Sequence, residues 1–150
     1  MYIYFFDIDN TLADTEKFLE SVVPENYSSL NKKQQIEVLD KILTKNDYLN
    51  IPILHNSASN LLLHLLKQKQ EVYFITARES KIKEETEGWL EKHKLLYNKN
   101  NLIMNANKKG IIIKDILLEK PSAEFAILFD DSMEIHKEIS LYNNIISCFP

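Results

Sequence analysis

Tyr2-Ile3-Tyr4-Phe5-Phe6-Asp7-Ile8-Asp9-Asn10-Thr11-Leu12 passes abruptly from a run of apolar and aromatic residues to a pair of carboxylates. The run from Tyr2 to Phe6 is rich in β-formers and does not alternate. It predicts a strand buried on both faces, as in a parallel sheet. Asp7 and Asp9 follow two residues apart at its carboxyl end, so they can point toward one side of the chain. In open parallel sheets, ligands bind beyond the carboxyl ends of the strands. Like charges this close repel and raise a proton affinity unless a cation lies between them or one is protonated. A metal that neutralised one carboxylate would leave the other to donate a proton. Taken alone, Asp-x-Asp reads more readily as a turn after a strand than as a site, because Asp is common in turns. The rest of the chain decides between the two.

Outward from this stretch, segments 72–76, 102–104, 125–129 and 145–148 also read as strands. Helical spacing of apolar residues lies between them. Segment 60–70 carries Leu61, Leu62, Leu65 and Leu66; 81–94 carries Ile82, Trp89 and Leu90; 108–119 carries Ile112, Ile113, Ile116 and Leu117, with Pro121 after it. Ser132 is a natural N-cap for a helix over 132–140. Strand alternating with helix implies an α/β fold with a mostly parallel sheet and right-handed crossovers. Residues 13–56 break the rhythm, since they separate the first strand from its crossover helix by far more than an ordinary connection of ~2–6 residues. They read as a small helical insertion over the carboxyl edge of the first strand. Ser28 or Ser29 would cap a helix containing Leu30, Ile36, Leu39, Ile42 and Leu43, and Pro52 closes the segment.

The second strand runs into Thr76-Ala77-Arg78, a hydroxyl and a guanidinium fork suited to phosphate. The fourth runs into Asp130-Asp131-Ser132, a second carboxylate pair. Hard oxygen ligands of this kind suit Mg²⁺. Lys108, Lys109 and Lys114 lie on the helix between these strands. The ordered set Asp-x-Asp-x-Thr, Thr, Lys, Asp-Asp, each after a successive strand, resembles the four motifs of the haloacid dehalogenase-like superfamily. The resemblance covers nearly the whole chain outside the insertion. It implies a three-layer, Rossmann-like fold with a five-stranded sheet and a small helical cap after strand 1. It also implies Mg²⁺-dependent phosphate chemistry. Asp7 would be the nucleophile that forms an aspartyl-phosphate, and Asp9 the acid and base. Thr76 would bind the transferring phosphoryl group, with Ala77 and Arg78 beside it. Asp7, the Asp9 backbone carbonyl, Asp130 and Asp131 would hold the metal. Lys114, placed 16 residues before Asp130, is the expected charge-balancing lysine, with Lys109 the alternative. Asp9 favours a phosphatase over a dehalogenase, which has no leaving alkoxide to protonate. Asn10 stands where many members carry glycine, a mild departure because Asn tolerates unusual backbone angles.

Composition narrows the rest. The 150 residues fit one domain, and a single cysteine, Cys148, rules out an intramolecular disulfide and suggests a reducing compartment. Tyr2–Phe6 lacks the basic flank of a signal peptide, and no stretch is long enough for a membrane span, so a cytoplasmic protein with no membrane partner is expected. No obligate protein partner is implied. Net charge −4 argues against a chain-wide nucleic-acid surface. Lys92, His93, Lys94, Lys99, Lys108 and Lys109 still leave a local basic groove open. His55, His64, His93 and His136 show no metal-ligand spacing. Tyr27 and Tyr48 in the insertion read as packing residues, or as rings that stack on a substrate. Thr76-Ala77-Arg78-Glu79-Ser80 and the following helix with Trp89 resemble the phosphatase domain of polynucleotide kinases, where the segment reads Ser-Gly-Arg-Glu-Ser. A nucleotide or nucleic-acid phosphoester is thus one expected substrate. A sugar phosphate or other small metabolite is the second. A non-catalytic phosphate-binding or interaction module on the same fold is the third.

Overall fold

The computed structural model describes residues 1–95 and 98–150. Five strands form one sheet in the order β3-β2-β1-β4-β5, and every pair is parallel. They are β1 (Tyr2–Phe6), β2 (Val72–Ile75), β3 (Leu102–Ile103), β4 (Phe125–Phe129) and β5 (Ile145–Cys148). All five lie where the sequence places them, because their apolar runs are flanked by polar or turn-forming residues. The chain leaves β1 toward β2 and β3 and returns on the other side to β4. The topological switch point therefore lies between β1 and β4, where Phe6 is level with Phe129. Sites in open α/β sheets form at such points.

Among the described residues seven α-helices accompany the sheet: α1 (Thr15–Val22), α2 (Lys32–Ile42), α3 (Lys45–Asn50), α4 (Ser57–Lys67), α5 (Lys83–Lys92), α6 (Lys109–Glu119) and α7 (Met133–Ile139). Strand periodicity divides the core into two layers. Phe6, Val72, Phe74 and Leu102 pack on one face with Leu62 and Leu65 of α4 and Trp89 and Leu90 of α5. Ile3, Phe5, Tyr73 and Ile75 pack on the other with Ile113 and Leu117 of α6 and Ile139 of α7. Phe6 stacks on Phe129 at 4.8 Å and Phe5 on Tyr73 at 5.1 Å, which rigidifies the strands that carry the acidic motifs.

Residues 13–56 contain α1, α2 and α3. The neck of the segment is pinned to the core: Asp14 N donates to Pro52 O at 2.8 Å, Leu54 N to Leu12 O at 2.7 Å and Asn56 Nδ2 to Thr11 O at 2.8 Å. The long helix expected after Ser28 or Ser29 starts later. Ser29 belongs to a 3₁₀ turn, Tyr27–Ser29, and Asn31 caps α2 in a capping box with Gln34. An Asn cap followed three residues on by Gln satisfies both backbone donors, which the serines do not. Likewise α4 begins at Ser57, earlier than the leucine pattern suggests, because Asn56 and Ser59 cap it reciprocally. Among the described residues no helix is long and apolar enough to cross a membrane.

Candidate active site

The carboxyl ends of β1, β2 and β4 bring the sequence motifs together. Asp7 follows β1 directly, and its N–H donates to Phe129 O at 2.9 Å, so it is fixed as an extension of the sheet. The chain then turns sharply: Thr11, Leu12 and Ala13 all donate their N–H groups to Ile8 O. Asn10 takes φ 58° in this turn, and its Oδ1 accepts the N–H of Glu16 at the start of α1 at 2.9 Å. Asparagine fits both demands, since it tolerates the left-handed region and carries its own acceptor.

Lys109 occupies the centre. Its ammonium lies 2.7 Å from Asp7 Oδ1 and 2.6 Å from Asp130 Oδ2, and the lysine side chain is 4% exposed. Lys114, expected from spacing to Asp130, is exposed on α6 instead. The reason is geometric. Lys109 is the first residue of α6, where the loop after β3 delivers it over the sheet edge. Five residues further along, a helix has advanced about 7.5 Å away from that edge and turned to another face.

Asp130 is held from three directions besides Lys109. Its Oδ1 accepts Ser132 N–H at 2.8 Å, its N–H donates to Cys148 O at 3.2 Å, and its carbonyl lies 2.9 Å from His136 Nε2. His136 also reaches Ser147 Oγ at 2.8 Å and stacks on Phe149, so it orients the loop after β4. No metal-ligand spacing marked His136 in the sequence. The signal was its place one turn after the Ser132 cap, which aims the ring back at the acidic loop.

Carboxylate oxygens of Asp7, Asp130 and exposed Asp131 all lie within 4.8 Å of one another. Burial pushes Asp7 up to about 7; Lys109 pulls it down, and Asp130 and Asp9 add to the rise. Burial and then the charge of Asp130 raise Asp131 as well. Burial would depress Lys109, but Asp7 and Asp130 outweigh it and keep the ammonium charged. One ammonium facing three carboxylates leaves negative charge in excess, and the donors are hard oxygens. The cluster fits a small divalent cation.

Asp9 sits apart from that cluster, with its side chain about one third exposed. Arg78 grips it: Nε donates to Oδ2 at 2.9 Å and Nη2 to Oδ1 at 2.6 Å, while Thr15 Oγ1 donates to Oδ1 at 2.6 Å. Burial opposes the charge on Asp9, but the Arg78 charge and these hydrogen bonds outweigh it and hold the carboxyl below its usual range. Arg78 is therefore engaged with a protein carboxylate, a role the sequence had reserved for substrate. Thr86 of α5 accepts Arg78 Nη1 at 3.3 Å and donates to Ile82 O at 2.8 Å, which fixes the far side of the fork. Neither Thr15 nor Thr86 carries a recognisable signal, since both act through tertiary contact. Thr76 is fully buried beside them. Its hydroxyl accepts Arg78 N–H at 3.2 Å and keeps its own proton to donate. Ala77 is exposed and lines the same cleft as Arg78.

No family model matches the sequence, and no curated protein matches it. Solved structures do. The chain is similar to a haloacid dehalogenase-like hydrolase from Burkholderia xenovorans LB400, with TM-score 0.67 and 14% identity over 99% of this chain and 81% of that one. It is also similar to the HAD-hydrolase YfnB from Bacillus subtilis, solved bound to magnesium, with TM-score 0.63 and 11% identity over 99% and 87%. The class C acid phosphatase from Bacillus anthracis gives TM-score 0.61 and 14% identity over 99% and 66%. The fold is a parallel α/β sheet with the candidate site at the β1/β4 switch point. More narrowly, it is the haloacid dehalogenase-like fold.

Proposed function

We propose that the protein is a Mg²⁺-dependent phosphomonoesterase that works through a phosphoryl group carried on Asp7. The observation that bears most weight is the buried bridge of Lys109 between Asp7 and Asp130, with Asp131 completing an acidic cluster at the switch point. In this reading an Asp7 oxygen attacks phosphorus, and a P–O bond to Asp7 forms as the ester P–O bond breaks. The leaving oxygen takes a proton from Asp9. Asp9 then removes a proton from water as that water attacks phosphorus, which releases inorganic phosphate and regenerates Asp7. Thr76 donates its hydroxyl proton to the transferring group, and Lys109 offsets the charge that accumulates between nucleophile and phosphate. Asp7, the Asp9 backbone carbonyl, Asp130 and Asp131 are the groups that would hold Mg²⁺. The ion would supply further charge stabilisation for phosphoryl transfer.

The Arg78 grip gives Asp9 a condition. A carboxylate that accepts three donors is held ionised and weakly basic, so in this arrangement it has no proton to give and little pull on one. Arg78 must turn toward the substrate phosphate before Asp9 can carry a proton to the leaving oxygen. Phosphoesters of nucleotides or nucleic-acid ends are the substrates suggested by the Thr76–Ser80 stretch. The test is phosphate release from a panel of phosphoesters, with Mg²⁺ or with EDTA, beside Asp7→Asn. Release that needs Mg²⁺ and disappears in the variant is expected. Equal release by Asp7→Asn would remove the nucleophile from the account.

A further inference from the structure

Asp9 and Arg78 open into a cleft of about 420 Å³ between the insertion and the core. That volume lies within the range of ordinary small-molecule sites, ~300–1,000 Å³. Its chemistry changes with distance from Asp9. Beyond the ionic groups, the insertion-side wall is Ile36 and Leu39 of α2 and Tyr48 of α3, and it faces Ile82, Asn105 and Asn107 on the core side. Ile36 and Leu39 stand three residues apart on one helix face, so they present a continuous apolar surface. Tyr48 is half-buried, packs against the core and makes no side-chain hydrogen bond among the described residues. A leaving group covered in hydroxyls could reach Lys32, Asp40 or the Tyr48 hydroxyl only at the edges of this wall, and would lose water against Ile36 and Leu39 without gaining partners there. A flat ring would bury well against the same side chains. Lys81 and Asp40, also lining the cleft, pair at 2.8 Å and tie α2 to the turn Ser80–Ile82. A cleft of this volume suits a small ester.

We infer that the leaving group is a small alcohol bearing an aromatic or heteroaromatic ring, of mononucleotide size, seated against Ile36, Leu39, Tyr48 and Ile82. This rests on the phosphatase reading of the adjoining acidic cluster. Nucleoside monophosphates and pyridoxal 5′-phosphate are two sources of this chemistry.

The test compares kcat/KM of the full chain with Mg²⁺ on a nucleoside 5′-monophosphate, pyridoxal 5′-phosphate, glucose 6-phosphate, glycerol 3-phosphate and a 3′-phosphorylated oligonucleotide. At least one ring-bearing small ester should exceed both ring-free esters by about tenfold or more, the scale of one good apolar contact set. The preferred ring identifies the source. Ile36→Gln and Leu39→Gln should each shrink that ratio several-fold, mainly through KM, with the circular dichroism spectrum retained. Equal or better turnover of the ring-free esters, preference for the oligonucleotide end, or an unaltered ratio in both variants would overturn the inference. Binding of the same compounds to Asp7→Asn, measured by calorimetry, separates this failure from failure of the chemistry. Ring-selective binding without turnover would sink the phosphatase reading and keep the pocket. Unselective binding would sink the pocket alone.

Discussion

The sheet core and the insertion over 13–56 are built to different standards. Each core helix buries at least one side chain completely or nearly so: Leu62 in α4, Trp89 in α5, Ile113 in α6 and Ile139 in α7. None of α1, α2 and α3 has a buried residue. The insertion is held by its neck, by buried Ile51 and the partly buried Phe18, Tyr48 and Leu49 packed on the core, by Trp89 Nε1 donating to Ile51 O at 2.7 Å, and by a few exposed ion pairs such as Lys81–Asp40. Segments with few buried contacts open at lower free energy than the core. The division suits the proposed phosphatase: charges that must be placed accurately stand on the stacked strands, and the wall proposed to meet the leaving group stands on the looser layer.

The largest expected effect breaks the core side of the comparison. Asp7→Asn should lower phosphate release by at least about 10³-fold, since it removes the nucleophile itself. A phosphate assay on folded protein checks this. Lys109→Met should follow, with activity down about 10²–10³-fold, and Lys114→Met should leave activity within about twofold. Lys109→Met should also cost about 3–5 kcal/mol in denaturant melts, because it strands buried carboxylates without their counter-charge. Equal behaviour of the two lysine variants would reverse the assignment made from the structure.

A pH series sharpens the same contrast. Asp7 rises from 3.8 to about 7 on folding without a cation, so the folded state holds its proton more tightly than the unfolded state. The resulting stability is fully present below pH 4 and is lost as pH rises through 7. In chelator, the protein should therefore lose stability between about pH 4 and 7, by a few kcal/mol at most, and Asp7→Asn should flatten this part of the curve. Thermal melts in EDTA measure it, and an unchanged slope in the variant would refute it.

The two glycines extend the comparison. A Cβ at Gly110 would come within 2.5 Å of Tyr142 Cε2 and 2.9 Å of Glu138 Oε1, both packed at the α6–α7 contact. Gly110→Ala should cost about 1–3 kcal/mol, as overpacking of a filled core does. At Gly88 the Cβ would meet only the end of the flexible Leu49 side chain, at 3.0 Å. There the helix propensity of alanine offsets the crowding, and Gly88→Ala should be close to neutral. Last and smallest, Lys81→Met should cost no more than about 1 kcal/mol of global stability, because both partners of the Asp40 pair are half-exposed. Its effect should instead appear as hydrogen exchange in α2 that is faster than in the unsubstituted protein, with α4 unchanged.

The same contrast explains what the sequence disclosed. Strands such as Tyr2–Phe6 and Phe125–Phe129 are continuous apolar runs, and nothing else in the chain competes for that pattern. Asp7, Thr76 and Asp130 were legible because each follows such a run directly, and Asp9 and Asp131 because each stands within two residues of one of them. Lys109 was less so. A lysine on a helix is placed by where that helix begins, and spacing to Asp130 favoured Lys114 over the residue that the loop after β3 sets down on the site. Arg78 was visible as a phosphate fork, but its grip on Asp9 depends on a partner 69 residues away. In the insertion, α1 and α3 were not separately recognised, and the cap moved from the serines to Asn31, because weakly buried helices leave a weak periodic trace.

The central claim is that Asp7 carries the phosphoryl group. The direct measurement is an acid quench of the protein turning over para-nitrophenyl phosphate with Mg²⁺, followed by peptide mass spectrometry. A phosphoryl adduct on the peptide containing Asp7, absent in EDTA and in Asp7→Asn, is the predicted result. Steady turnover with no adduct there, or with the adduct on another residue, would contradict it.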